Sequence, residues 1–190
     1  GLNATPGLVI LKNRSSSNTH WQVFGDGYER LQLSTAQAAL SGNYTLERSS
    51  TTISPTQNSV SELQINQNGD NFIAYCFAPV EGYSAFGSFE GNGNTDGPFV
   101  YTGFRPRFLI IKSIDSAQYW YLADTARSPF NDDNTEGLWA NTDSSEFTYN
   151  VDFLSNGIKH RNTSANLNSG STTFIYAAFA ESPLKYARAR

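Results

Sequence analysis

Methionine is absent from this 190-residue chain, cysteine occurs once and histidine twice, and each shortage closes off a class of readings. With Cys76 alone, no disulfide can close within the chain, which excludes a disulfide-stapled secreted scaffold and is compatible with assembly in a reducing cytoplasm. Cys76 lies inside the apolar string FIAYCFA, so a buried small hydrophobe is expected there. Without methionine, Gly1 does not follow an initiator residue, and a processed product or an excerpt of a longer polypeptide is expected. Positive charge is scarce too. Lys+Arg 13 against Asp+Glu 17 gives a formal net charge of −4 and a pI near 5.1, which leaves no general basic field for phosphates, and nucleic acid is not an expected partner. The one basic cluster, KYARAR from Lys185 to Arg190, reads as a solvated tail or a joint to further chain. No hydrophobic run approaches the roughly 20 residues of a membrane helix and no signal-peptide pattern opens the sequence, so a soluble chain without membrane insertion is expected.

What the chain does have is aromatic surface. A hydrophobic content of 38% and an aromatic content of 14% supply enough apolar area for packed cores, so folding is expected throughout. The apolar runs are short, β-branched or aromatic, and bounded by Gly, Asn, Asp and Ser, which is the signature of strands and turns. Leu8 to Leu11 and Phe108 to Ile111 are continuously apolar, as central strands covered on both faces are. Trp21 to Phe24, Leu31 to Leu33, Val60 to Ile65 and Tyr119 to Leu122 alternate as half-buried strands do. The only helix-like stretch, Ser34 to Leu40, is cut short by Gly42. Short strands at regular spacing predict an all-β chain, an antiparallel β-sandwich of jelly-roll type, with a barrel as the alternative.

Two stretches read as copies. PGLVILKN from Pro6 to Asn13 returns as PRFLIIKS from Pro106 to Ser113, Trp21 as Trp120, Leu31 to Thr35 as Leu138 to Thr142, and Phe72 to Ala78 as Phe174 to Ala180. A repeat longer than the about 20 to 50 residues of solenoid units is a whole folding unit. Two tandem modules are therefore expected, residues 1–82 and 83–190, the second led by a hairpin over 83–103 in which Phe86 to Glu90 and Pro98 to Thr102 flank the turn-rich Gly91 to Gly97. The first module has no such lead. Its missing strand is expected either upstream in a longer chain or from a neighbouring chain by strand addition.

The strings YCFAPVEGYSAFGSF, GPFVYTGFRPRFLIIK, DFLSNGIKHR and FIYAAFAESPLKYARAR resemble a repeated domain of tailed-phage structural proteins, common in marine phages, and the resemblance covers nearly the whole chain. It implies a β-rich, non-enzymatic virion module assembled in the host cytoplasm, in a tail fibre or a receptor-attachment part. Its implied partners are other virion proteins, a homo-oligomer and a host surface glycan, without a cofactor. A capsid-decorating or head-fibre subunit is the alternative, and a glycan depolymerase a further one. The resemblance carries no catalytic residue across, and Ser49 to Gln57 stands where the second module has DFLSNG.

Candidate chemistry is sparse. Nucleophilic catalysis needs a histidine beside a Ser or Cys and an orienting acid, and His20 and His160 come with no nucleophile-elbow motif. Glu81, Glu90, Asp124, Asp132 and Glu136 are the acids that glycoside hydrolysis would draw on, and no spacing selects a pair. Asn92, Asn94 and Asp96 mimic half of a calcium loop, but Asn stands in the first ligand position and Gly103 where a bidentate Glu belongs, so no metal is expected there or at Asn131 to Glu136. Asp124 and Arg127 are expected to pair across one loop. Trp139 replaces Gln32 of the first module at a strand position expected to open outward, as a contact surface or, alternatively, in packing between the modules. Trp139, Asn141, Asp132 and Asp133 are the expected glycan contacts, an aromatic face with amide and carboxylate neighbours. Trp21 and Trp120, at equivalent positions, are expected in cores.

Overall fold

A computed structural model describes residues 2–41, 44–57 and 65–181, and within these there are strands and turns and no helix. The expected strand over Val60 to Ile65 lies outside the described residues except for Ile65, and so does the basic run from Lys185. The strands are β1 (Leu8–Asn13), β2 (Gln22–Gly25), β3 (Tyr28–Gln32), β4 (Tyr44–Arg48), β5 (Ile53–Gln57), β6 (Phe72–Phe77), β7 (Ser84–Glu90), β8 (Phe99–Tyr101), β9 (Pro106–Ser113), β10 (Tyr121–Asp124), β11 (Glu136–Trp139), β12 (Phe147–Thr148), β13 (Val151–Leu154), β14 (Gly157–His160) and β15 (Thr173–Ala180). They form four antiparallel sheets, ordered β3-β2-β1-β6, β12-β11-β10-β9-β15-β7, β13-β14-β8 and β4-β5.

The period-2 alternation of strand side chains explains how the sheets stack. Along β1, Val9 and Leu11 join Phe24, Ile65, Leu46 and Ile53 under the β4-β5 hairpin, while Leu8 and Ile10 face the six-stranded sheet with Val23, Leu31, Trp120, Ile175 and Ala177. Along β9, Ile110 faces that same middle layer, whereas Leu109 and Ile111 turn the other way, to Val100, Phe153, Ile158, Leu167 and Phe174 under the three-stranded sheet. The continuously apolar runs at Leu8 and Phe108 are therefore central strands with both faces covered, as expected. An aromatic hub holds the middle layer at one end: Phe179 meets Phe77 at 5.8 Å and Phe86 at 5.8 Å, both edge-on.

Residues 34–40, the one helix-like stretch, form turns and a single bridge, Arg30 to Leu40. Two expectations change. Trp120 is 3% exposed in the middle layer, but Trp21 is only half-buried, tilted against Tyr75 at 6.2 Å. The stretch 83–103 is not a hairpin, because β7 pairs with β15 and β8 with β14, in different sheets. The cause is Asn168, fully buried, whose carboxamide accepts from the Asn92 N–H at 2.9 Å and donates to the carbonyls of Asn94 (2.8 Å) and Asn162 (2.7 Å), so the connection crosses from one layer to the next. A β-carbon on Gly91 would run into the Ser169 carbonyl, and one on Gly97 would stand 2.7 Å from His160 Cβ. Glycine is required at both.

Candidate functional site

The outer face of the three-stranded sheet gathers two exposed aromatic side chains and a set of charged ones. β8 alternates exposed, buried, exposed, so Val100 enters the core while Phe99 and Tyr101 stand outward, 46% and 66% exposed. Register builds two cross-strand rows on that face, Tyr101–Gly157–Leu154 and Phe99–Lys159–Asp152. Gly157 leaves a gap in the first row that the Phe99 ring fills, 3.0 Å from where a β-carbon would be, while the Val100 carbonyl closes the floor beneath it.

Charges frame the aromatics. Lys159 Nζ reaches Asp96 at 2.7 Å and the Gly97 carbonyl at 2.5 Å, and Arg161 Nε reaches Asp152 at 2.8 Å. The Lys159 hydrogen bond and charge hold the Asp96 carboxyl below its usual range, and the bond to Asp152 pushes the Arg161 guanidinium up. These are exposed pairs whose value is positional rather than energetic. Along the other edge of the sheet, Asn131 exchanges two hydrogen bonds with the backbone of Phe153, at 2.9 and 3.2 Å, and Thr135 does the same with Val151, at 2.6 and 3.2 Å. Those side chains stand in for a neighbouring strand and fix the loop bearing Asp132 and Asp133 against the sheet. Asp133, in left-handed backbone at φ 68°, accepts from Asn150 Nδ2 at 3.0 Å.

The four expected binding residues separate into two groups. Asp132 and Asp133 are exposed on this loop, Asp133 near enough to raise Arg161 further. Trp139 lies at the other end of β11, half-buried, with its face covered by Phe147 at 4.1 Å and 20° and its edges met by Tyr119, Tyr121 and Tyr149. It turns to the same side as Gly137 and Tyr121, toward the core, instead of opening outward. Asn141 accepts from the Trp120 N–H at 3.0 Å and so secures a turn. Phe99, Tyr101, Lys159 and Asp152 were not selected from sequence, although the alternation in FVY between Pro98 and Thr102 carries the signal: one apolar residue in, its two aromatic neighbours out.

The other candidates have structural occupations. His20 Nδ1 lies 2.8 Å from Ser34 Oγ on the exposed surface. His160 is fully buried and stacks on Phe89 at 4.7 Å, and burial, with a smaller push from Lys159, drives its pKa from 6.5 down to about 3. Asp124 pairs with Arg127 at 2.8 Å as expected and caps the N–H groups of Ala126 and Arg127, while Arg127 also reaches Glu146 at 2.9 Å. Partial burial raises the Asp124 pKa, yet these bonds outweigh it and the net shift is downward. A glycosidase acid requires the opposite shift. The oxygens of Asn92 and Asn94 are consumed by local backbone turns, accepting from Asn94 N at 3.0 Å and Asp96 N at 2.9 Å. Among the described residues no group of three or more His, Cys, Asp or Glu is placed to hold a metal, and no helix is long and apolar enough to cross a membrane. A cleft of about 210 Å³ between residues 2–6, the turn 49–53 and Cys76 is lined by apolar and hydroxyl side chains, with neither carboxylate nor imidazole.

Residues 1–183 match the model of a family described as "Domain of unknown function (DUF7483)", and the chain belongs to that family. No curated protein and no solved structure matches the chain.

Proposed function

We propose that this DUF7483 protein is a non-enzymatic structural and attachment module of a phage virion, which takes a host surface glycan on the outer face of its three-stranded sheet. The observation that carries the attachment reading is the pair Phe99 and Tyr101, held outward on one strand beside Lys159 and Asp152. An aromatic face covers the apolar face of a sugar ring, while neighbouring charged and amide groups take its hydroxyls. The virion setting rests on the resemblance of the long strings around Tyr75, Pro98, Asp152 and Phe174 to tailed-phage structural proteins.

In this reading the molecule is two sandwich modules related by an internal repeat. Strand order supports it: β3-β2-β1-β6 in one sheet parallels β11-β10-β9-β15 in the other. Register supports it as well. Lys12 pairs with Ile73 as Lys112 pairs with Ile175, and Gln22 pairs with Gln32 as Tyr121 pairs with Trp139. The β4-β5 hairpin covers the first sheet as β13-β14 covers the second. A stack of sheets packed face to face resists unfolding and presents polar loops, which is what an exposed appendage requires.

The test is to label intact phage particles with an antibody to this chain and to measure binding of the purified protein to host cells and their isolated polysaccharide. Labelling on the tail with saturable binding to polysaccharide supports the proposal. Labelling on the head with binding to capsids alone moves the protein to a decorating role, and release of oligosaccharides makes it a depolymerase.

A further inference from the structure

We infer that the free edge of β6 is an acceptor site for an extended strand of the β7 type, supplied by another polypeptide segment. The inference rests on strand order and register, and holds or fails independently of where the protein acts.

β6 ends its sheet, and among the described residues no strand pairs with its outer side. Three other edges are blunted. Leu40 bonds back onto Arg30 beside β3, β12 is two residues long, and side chains of Asn131 and Thr135 occupy the edge of β13. β6 has none of these devices: Phe72–Phe77 contains no charge, no proline and no bulge, and Ala74 and Tyr75 are exposed. An apolar, flat, unprotected edge is a template for strand addition.

The occupant is specified by β15, which shares the register of β6 against its own central strand. The Arg14 N–H bonds the Asn71 carbonyl at 2.7 Å, and alternation then turns the N–H and C=O groups of Ala74 and Cys76 to the open side. On β15 the corresponding side is filled by β7, with Tyr176 opposite Gly87 and Ala178 opposite Ala85. Gly87 makes room there for the Tyr176 ring, 3.0 Å from where a β-carbon would be, whereas β6 has the smaller Ala74 in that place. A strand of the β7 type, antiparallel to β6, therefore meets no obstructing ring at that position.

The experiment titrates the full chain with a synthetic peptide of residues 83–90 and follows amide hydrogen exchange and the reactivity of the Cys76 thiol. Slowed exchange at Ala74 and Cys76 by tenfold or more at saturating peptide, abolished when the peptide carries Gly87→Pro, supports the inference. Unchanged exchange at millimolar peptide overturns it. Protection of the same amides without peptide, together with a dimer in sedimentation, also overturns it by giving the edge to a second copy of β6.

Discussion

The indole N–H of Trp120 donates to the backbone carbonyl of Gln32 over 2.9 Å, joining the six-stranded sheet to the edge strand of the four-stranded one through a buried hydrogen bond. It lies in the layer of Leu8, Val23, Leu31, Ile175 and Ala177, and with the Ala39 N–H to Ile114 carbonyl bond at 2.8 Å it ties the two sheets together.

Trp120→Phe should thus leave the Gln32 carbonyl without its donor. A cost of about 1–3 kcal/mol is expected from the unpaired acceptor, with a further contribution from the smaller ring. Trp21→Phe, at the half-buried counterpart, should cost less than about 1.5 kcal/mol. Equilibrium urea unfolding of both variants measures the difference.

His160 predicts acid sensitivity. Its folded pKa of about 3 lies below the ordinary 6.5, so between these values the unfolded chain takes up a proton that the folded chain refuses. Stability is fully present above pH 6.5 and falls as the pH drops toward 3, by at most about 1.4 kcal/mol per unit from this group. Neither ring nitrogen has a hydrogen-bond partner among the described residues, so His160→Leu should fold at pH 7 and flatten that part of the curve. Thermal unfolding from pH 7 to pH 4 reads it out.

Lys112 predicts the opposite end of the scale. It is fully buried, donates to the carbonyls of Ser113 (2.6 Å) and Ser116 (3.4 Å), and burial lowers its pKa from 10.5 to about 8. Below pH 8 both states are protonated and the cost of burying the charge is constant. Between pH 8 and 10.5 the unfolded chain holds the extra proton, so stability rises with pH. Lys112→Met should remove that rise, measured as urea midpoints at pH 7, 9 and 10.

How much of this was readable from sequence differs by element. β1 and β9 were legible because four consecutive apolar residues too short for a helix can only be a strand covered on both faces. The 83–103 stretch misled because turn residues between two strands are equally consistent with a hairpin and with a crossing between layers. The choice is made by Asn168, distant in sequence from the residues that it holds. Trp139 misled because its alignment with Gln32 gives a register position, while its cover by Phe147 comes from the short strand β12, where β3 has beside it only the single bridge from Arg30 to Leu40 among the described residues. Phe99 and Tyr101 were legible through their alternation, but which neighbours flank them depends on β14, paired from far along the chain.

The central claim is that the outer face of the three-stranded sheet is the attachment surface. The direct measurement is binding of the Phe99→Ala/Tyr101→Ala double variant to host polysaccharide, alongside wild type and Trp139→Ala, with circular dichroism to establish folding. Both substituted side chains are largely exposed, so folding should survive, and loss of two stacking faces is expected to weaken binding by tenfold or more. Wild-type affinity in the folded double variant, with binding lost on Trp139→Ala, would contradict the account and return the site to the aromatic cluster on β11.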